Sequence, residues 1–255
     1  MTLTADLTGK TAFVTGASSG LGRHFAGLLA RSHAAVVVAA RRIDALRSLA
    51  EEIAAGGGRA VPIVLDVLDG NSVAEAVASA VHELGSIDIL INNSGVASGG
   101  GLLEQTEQQW DTVMDTNLRG CFLVATEVAR HMRALNRGGS IINIASILGL
   151  RQGSHVAPYA VSKAGLVQLT KTMALEWARF AIRVNALAPG YIETDLNREL
   201  WTTEAGRALV KRIPQRRLGQ PPDLDGALLL LASEASRYMT GSVIAIDGGH
   251  LVSTL

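Results

Sequence analysis

Tyr159 and Lys163 are residues whose types and spacing suggest chemistry. They stand four apart in Tyr159-Ala160-Val161-Ser162-Lys163, and on a helix that spacing sets both side chains on one face. A free phenol keeps its proton until about pH 10 and is a poor base at neutrality. An ammonium about 4 Å away stabilises the phenolate by a few kcal/mol at intermediate dielectric. Such a pair can take a proton from an alcohol or return one to a carbonyl oxygen. Alone, Tyr-x-x-x-Lys reads equally well as a solvated helix face. Ser146 adds to it: it follows the apolar run 140–145 and precedes Tyr159 by thirteen residues, so its hydroxyl can meet a reacting oxygen from a strand end. Asn117 falls within a helical segment, where Asn is unfavourable unless its side chain has a partner. The plainer reading of Asn117 by itself is a satisfied buried amide.

A second group is suited to phosphate. Thr15-Gly16-Ala17-Ser18-Ser19-Gly20-Leu21-Gly22 lies between an apolar, β-branched run and a helical stripe. Glycines there let the backbone turn sharply and approach a pyrophosphate, while a helix starting near Gly20 aims its free N–H groups at the anion. The spacing is G-x-x-x-G-x-G, and no Lys-Ser/Thr follows the last glycine, which excludes a Walker-type loop. The strand–loop–helix setting favours a dinucleotide over an ordinary turn. The next strand ends Val38-Ala39-Ala40-Arg41-Arg42 with no acid to hold a ribose 2′-hydroxyl, and the Arg41 guanidinium fork suits a 2′-phosphate.

These residues need a scaffold, and the patterning supplies one. Runs at 11–15, 35–40, 60–65, 87–91, 140–145, 182–186 and 242–246 read as strands, several of them apolar on both faces. Between them Leu21, Phe25, Leu28 and Leu29 form a helical stripe, as do Ile43, Leu46, Ala50 and Ile53, and Val73, Val77, Val81 and Leu84. Ser72-x-x-Glu75 and Thr106-x-x-Gln109 have the form of capping boxes, and Pro158 suits the first turn of the helix carrying Tyr159. Strand and helix alternate throughout. The expected fold is α/β: a single doubly wound Rossmann-type domain over 1–255, with a mostly parallel seven-stranded sheet and helices on both faces. The polar segment 195–214 breaks the rhythm and reads as a substrate lid or, equally, a surface helix.

Composition narrows the class. Lys and Arg number 23 and Asp and Glu 23, so a zero formal charge gives no reason to expect nucleic acid or an anionic membrane as partner. No signal peptide or membrane span is visible, and Cys121 is the only cysteine, so a cytoplasmic location is expected. The six histidines lack ligand spacing, and no metal site is expected. Cys121 reads as a buried small hydrophobe in preference to a reactive thiol. Gln152 and His155 read as pocket or surface loop alike, Ser98-Gly99-Gly100-Gly101 as a flexible turn, and Arg130, Arg133 and Arg137 as a solvated helix face.

The ordered set of motifs resembles the short-chain dehydrogenase/reductase family over essentially the whole length. The family's glycine loop stands at 15–22, contributing Gly16, Ser18, Ser19, Gly20, Leu21 and Gly22; its Asp-Val pair is Asp66-Val67. Its Asn-Asn-Ala-Gly segment is Asn92-Asn93-Ser94-Gly95, departing at Ser94, and its tetrad is Asn117, Ser146, Tyr159 and Lys163. Its turn at the nicotinamide is Pro189-Gly190, followed by Ile192 and Thr194. The resemblance implies that Tyr159 is the acid–base group and that Lys163 holds the nicotinamide ribose. Ser146 would steady the substrate oxygen, and Asn117 would position a water in a proton relay. It implies NADP(H) as preferred cofactor with NAD(H) as the alternative, although Ser19 stands where many NADP enzymes carry a second basic residue. It further implies a homotetramer and a small carbonyl or alcohol substrate, with 3-oxoacyl-carrier-protein reductases and ketone or sugar dehydrogenases as neighbouring subclasses. A catalytically silent NAD(P)-binding regulator is the alternative from another class, opposed by the intact tetrad. A sugar-nucleotide epimerase or dehydratase would need a further substrate domain, and the four-residue Tyr–Lys spacing disfavours enoyl reductases.

Overall fold

The structure is a computed structural model that describes residues 5–194 and 197–253. Seven strands form one sheet: β1 (Thr11–Thr15), β2 (Ala35–Ala40), β3 (Arg59–Val64), β4 (Ile89–Asn92), β5 (Gly139–Ile144), β6 (Ile182–Pro189) and β7 (Val243–Ile246). Their spatial order is β3-β2-β1-β4-β5-β6-β7, and every neighbouring pair is parallel. The order reverses between β1 and β4, which opens a crevice at the carboxyl ends of those strands.

The sheet is buried on both sides because its strands are apolar on both faces. Ala12 and Val14 of β1 and Val36 and Val38 of β2 face one core, while Phe13, Val37 and Ala39 face the other. The period-two alternation of a strand sends adjacent apolar residues into opposite layers. The first layer is closed by α1 (Gly20–Arg31) with Phe25 and Leu29, α2 (Ile43–Ala55) with Leu46 and Ile53, and, near the C-terminus, the helix Asp225–Ala232 with Leu228 and Leu231. The second is closed by α3 (Gly70–Leu84) with Val73 and Val77. It also holds a long helix in two parts, α4 (Glu107–Met114) and α5 (Gly120–Leu135) with Val124, Val128 and Met132, and then α6 (Ala157–Trp177) with Met173. Residues Asp115–Arg119 join α4 to α5 as a π-helical turn, with Asn117 at its centre.

Local signals mostly hold. Thr106 and Gln109 form the reciprocal capping box at the start of α4, and Pro158 sits in the first turn of α6. The box expected at 72–75 does not form. Asp69 caps α3 three residues earlier, accepting from Asn71 N–H at 2.9 Å, and the Ser72 hydroxyl accepts from Asp66 N–H at 3.0 Å. An aspartate at the cap satisfies an orphan donor and complements the helix dipole, and the reach of Ser72 back to Asp66 steadies the turn before the helix. β6 runs to Pro189, beyond the expected 186, because β5 and β7 pair with it from both sides. Segment 195–214 contains two short helices, α7 (Arg198–Thr202) and α8 (Glu204–Val210), while Asp195 and Leu196 lie outside the described residues. The helix Asp225–Ala232 is α9.

Candidate active site

β1 ends at Thr15, whose Oγ1 accepts from the N–H groups of Asn93 at 2.9 Å and Ser94 at 3.0 Å. The Asn93 amide in turn donates to the carbonyls of Thr15 at 3.1 Å and Gly16 at 3.4 Å. The loop before α1 is thus propped from the end of β4. Gly16 has φ of 64°, and a Cβ there would lie 2.9 Å from Asn93 Nδ2. A Cβ on Gly22 would run into the Gly16 carbonyl. Only glycine permits this turn, and the turn leaves the first N–H groups of α1 facing the crevice.

The crevice is a cleft of ≈ 770 Å³ lined by Gly16, Ser18, Ser19, Gly20 and Leu21, by Arg41 and Arg42, by Asp66 and Val67, and by Asn93, Ser94 and Gly95. Ser146, Tyr159, Lys163, Pro189, Gly190, Ile192 and Thr194 complete it. Of the expected residues, Gly22 and Asn117 are not in its lining; both act from behind. Asp66 Oδ1 accepts from Leu68 N–H at 3.0 Å, and Val67 packs where a Cβ on Gly120 would lie 2.9 Å from it. Arg42 is a lining residue that the sequence reading passed over. Its guanidinium donates to the hydroxyls of Ser18 at 3.0 Å and Ser19 at 3.1 Å, which brings a cation to the loop position that lacks one in sequence. Its adjacency to Arg41 was the available signal.

At the other end, Lys163 is buried at 4% exposure and lies 5.7 Å from the centroid of the Tyr159 ring. Its Nζ donates to the Ile144 carbonyl at 2.7 Å, and an ammonium with three donors keeps others for the cleft. Gly95 lies beside both it and the Asn117 amide: a Cβ there would touch Lys163 Nζ at an ordinary 3.6 Å and press on Asn117 Oδ1 at 3.3 Å. Ser146 Oγ accepts from Leu148 N–H at 3.1 Å and still holds its own proton to donate.

Asn117 is fully buried, and its side chain is held by protein. Oδ1 accepts from Val96 N–H at 2.8 Å, while Nδ2 donates to the Val96 carbonyl at 2.8 Å and to Ser162 Oγ at 3.0 Å. Ser162 then donates to the Tyr159 carbonyl at 2.8 Å. Both amide hydrogens are spent and tie the loop after β4 to the helix of Tyr159, while Oδ1 keeps a second lone pair that can accept from a water. Trp201 of segment 195–214 also lines the cleft, as does Tyr191, a residue the motifs do not single out although it directly follows the Pro189-Gly190 turn.

The residues set aside behave as such. Cys121 is buried, and burial pushes its thiol up to about 11. Arg130 pairs with Glu127 at 3.0 Å, Arg133 lies 4.8 Å from the Phe180 ring centroid, and Arg137 stands 3.6 Å from Asp88. Gln152 and His155 are exposed and outside the cleft lining. Among the described residues no cluster of His, Cys, Asp or Glu is arranged to hold a metal, and no helix is long and apolar enough to cross a membrane.

A glycine cradle at a helix start, two guanidinium groups beyond β2 and a Tyr–Lys pair across one cleft define a dinucleotide-dependent oxidoreductase site, and the cradle's geometry fits the pyrophosphate. Residues 16–250 match the family model described as Enoyl-(Acyl carrier protein) reductase. The chain is 39% identical over 246 residues to the 3-oxoacyl-acyl-carrier-protein reductase of Thermotoga maritima, covering 96% of this chain and 99% of that protein. It is 40% identical over 249 residues to the gluconate 5-dehydrogenase of Gluconobacter oxydans, covering 97% of each. Among solved structures, a short-chain type dehydrogenase/reductase from Mycobacterium marinum superposes with a TM-score of 0.91 at 44% identity over 96% of each chain. A gluconate 5-dehydrogenase from Burkholderia cenocepacia J2315, in complex with NADP and tartrate, gives 0.94 at 39% identity over 98% of each. The chain belongs to the short-chain dehydrogenase/reductase family, and its activity is that of an NAD(P)-dependent oxidoreductase acting on CH–OH groups.

Proposed function

We propose that this chain is a carbonyl reductase or alcohol dehydrogenase with Tyr159 as its acid–base group, preferring NADP(H) and using NAD(H) measurably. The observation that carries the reading is the pair of Tyr159 and buried Lys163 in one cleft with the glycine cradle. The bound dinucleotide supplies or receives the hydride at its nicotinamide. Tyr159 Oη takes the alcohol proton in oxidation and returns it in reduction. Lys163, anchored on the Ile144 carbonyl, stabilises the phenolate and holds the nicotinamide ribose. Ser146 donates its hydroxyl hydrogen to the reacting oxygen, and Asn117, which keeps the loop and the Tyr159 helix in register, positions a water in the relay from Lys163 to solvent. The phosphate loop and Asn93, Ser94 and Gly95 bind the dinucleotide along β1 and β4. Asp66 and Val67 meet the adenine, and Pro189, Gly190, Ile192 and Thr194 meet the nicotinamide.

Arg41, with Arg42 on the serine hydroxyls beside it, recognises the 2′-phosphate. The fold works as a single catalytic domain with a lid at 195–214. Assembly is a homotetramer through α5 and α6, whose outer faces carry Phe122, Val161 and Leu175 at 45%, 45% and 83% exposure. The location is cytoplasmic, the partner a small carbonyl or alcohol substrate, and neither nucleic acid nor membrane is engaged. The spacing of Tyr159 and Lys163 favours carbonyl over enoyl chemistry. The test is a panel of ketones and secondary alcohols followed at the absorbance of reduced nicotinamide. Turnover is expected, faster with NADP(H); tight NADPH binding with no turnover of any member would leave a silent binder instead.

A further inference from the structure

Tyr191 lies between two rings, Trp201 at 5.3 Å and His250 at 5.4 Å between centroids. Neither the proton relay nor the phosphate loop uses this group. The Trp201 indole donates to Asn197 Oδ1 at 3.0 Å, and Asn197 is itself held by Thr194 N–H and the Ile192 carbonyl, each at 2.8 Å. The other ring, His250, is buried at 6% exposure, and its Nδ1 has no hydrogen-bond partner among the described residues. The tail that carries it is fixed. The two Asp247 carboxylate oxygens accept from Gly249 N–H at 2.9 Å and Leu251 N–H at 2.6 Å, and Arg151 donates to the His250 carbonyl. A Cβ on Gly190 would lie 2.7 Å from Asp247 Cα, so the turn leading to Tyr191 packs directly on this tail.

Tyr191 lines the cleft with Tyr159 and Ser146, and its hydroxyl has no hydrogen-bond partner among the described residues. Arg151 and Arg212 act on both Tyr191 and His250, while Tyr159 acts on Tyr191 and Asp247 on His250. Arg151 is held behind this wall of the cleft by its bonds to the His250 carbonyl and, at 3.4 Å, to Ser253 Oγ, next to the ring that touches Tyr191. A free phenol hydroxyl backed by guanidinium charge in a partly desolvated wall gives an acyl chain nothing. It gives a carboxylate a charge-assisted hydrogen bond.

We propose that Tyr191, clamped between Trp201 and His250, is a substrate-specificity residue that acts with Arg151 to select a small hydroxylated carboxylate over an uncharged alcohol of the same length. Trp201 and His250 are positioning residues for its ring. The inference rests on the reading of this site as an alcohol dehydrogenase. It is tested by measuring kcat and KM with saturating NADP+ for three matched pairs: gluconate and sorbitol, tartrate and threitol, glycerate and glycerol. The wild type is expected to favour the carboxylate in at least one pair by about tenfold or more in kcat/KM. Tyr191→Phe and Arg151→Gln are each expected to lower that ratio about tenfold, mainly through KM for the carboxylate, with NADPH affinity unchanged. If Arg151→Gln loosens the tail and fails to fold, Tyr191→Phe decides alone. Preference for the carboxylate in none of the pairs, turnover confined to alcohols outside them, or an equal loss for both pair members in Tyr191→Phe overturns the proposal and leaves the dehydrogenase reading standing. Absence of turnover with every alcohol and ketone removes both.

Discussion

The Tyr159 hydroxyl can be deleted with little disturbance, because the ring stays beside Lys163 and the Lys163 ammonium keeps its bond to the Ile144 carbonyl. Tyr159→Phe is therefore expected to leave NADPH binding intact while turnover falls at least about 100-fold, the scale of lost general acid–base assistance. A purified variant with near-normal turnover would remove Tyr159 from the mechanism. At the adenosine end the same reasoning separates cofactors. Arg41→Ala is expected to weaken NADPH binding by about 1.5–3 kcal/mol and leave NADH nearly unaffected, as a charge-assisted bond to the 2′-phosphate requires. Arg42→Ala should act in the same direction, since its guanidinium rests on Ser18 and Ser19 beside the same site. Titrations with both cofactors check this, and equal losses for NADPH and NADH, or a wild-type preference for NADH, would free both arginines of that role.

At the scale of elements, the phosphate loop and the proposed lid make opposite demands. The loop must be rigid, and Gly22 packs so closely on the Gly16 carbonyl that an added methyl forces the turn open. Gly22→Ala is expected to cost at least about tenfold in cofactor affinity, the usual scale of overpacking, and a binding isotherm indistinguishable from wild type would contradict the fit described for the cradle. The segment 195–214 is different: α7 and α8 are short, and Leu200 is 48% exposed. As a lid it should exchange amide hydrogens quickly alone and slowly once cofactor and a substrate analogue are both bound, with the emission of Trp201 changing in step. Fast exchange that ligands do not alter would make these helices surface structure only.

For the whole molecule, α6 and the turn that leads into α5 hold the residues that position the site, and both helices expose apolar side chains. Burial of Phe122, Val161 and Leu175 against symmetry mates would hold the Asn117 turn and the Tyr159 helix in place from outside. A homotetramer is expected by light scattering at micromolar concentration, with dimer as the lesser assembly. A strictly monomeric mass would show that these faces are simply exposed.

The alternation of apolar strands and amphipathic helices determined the doubly wound sheet by itself, because each strand residue must be buried on one face or the other, as Ala12 and Phe13 show in adjacent positions. Glycines at 16, 20 and 22 and the Tyr159–Lys163 spacing were legible for the same reason: local backbone geometry and helical period are written in neighbouring residues. What joined residues distant in sequence was not. The anchoring of Asn117 by Val96 and Ser162 depends on a loop and two helices meeting, and the capping of α3 turned on Asp69 as Ser72 reached back to Asp66. The edge-on and tilted contacts of Trp201 and His250 with Tyr191 needed the C-terminal tail to pack against the turn after β6. No periodicity in the chain encodes those contacts, since the Asn117 and Tyr191 groups are fixed by packing between elements far apart along it, and only the tertiary structure brings them together behind and beside the cleft.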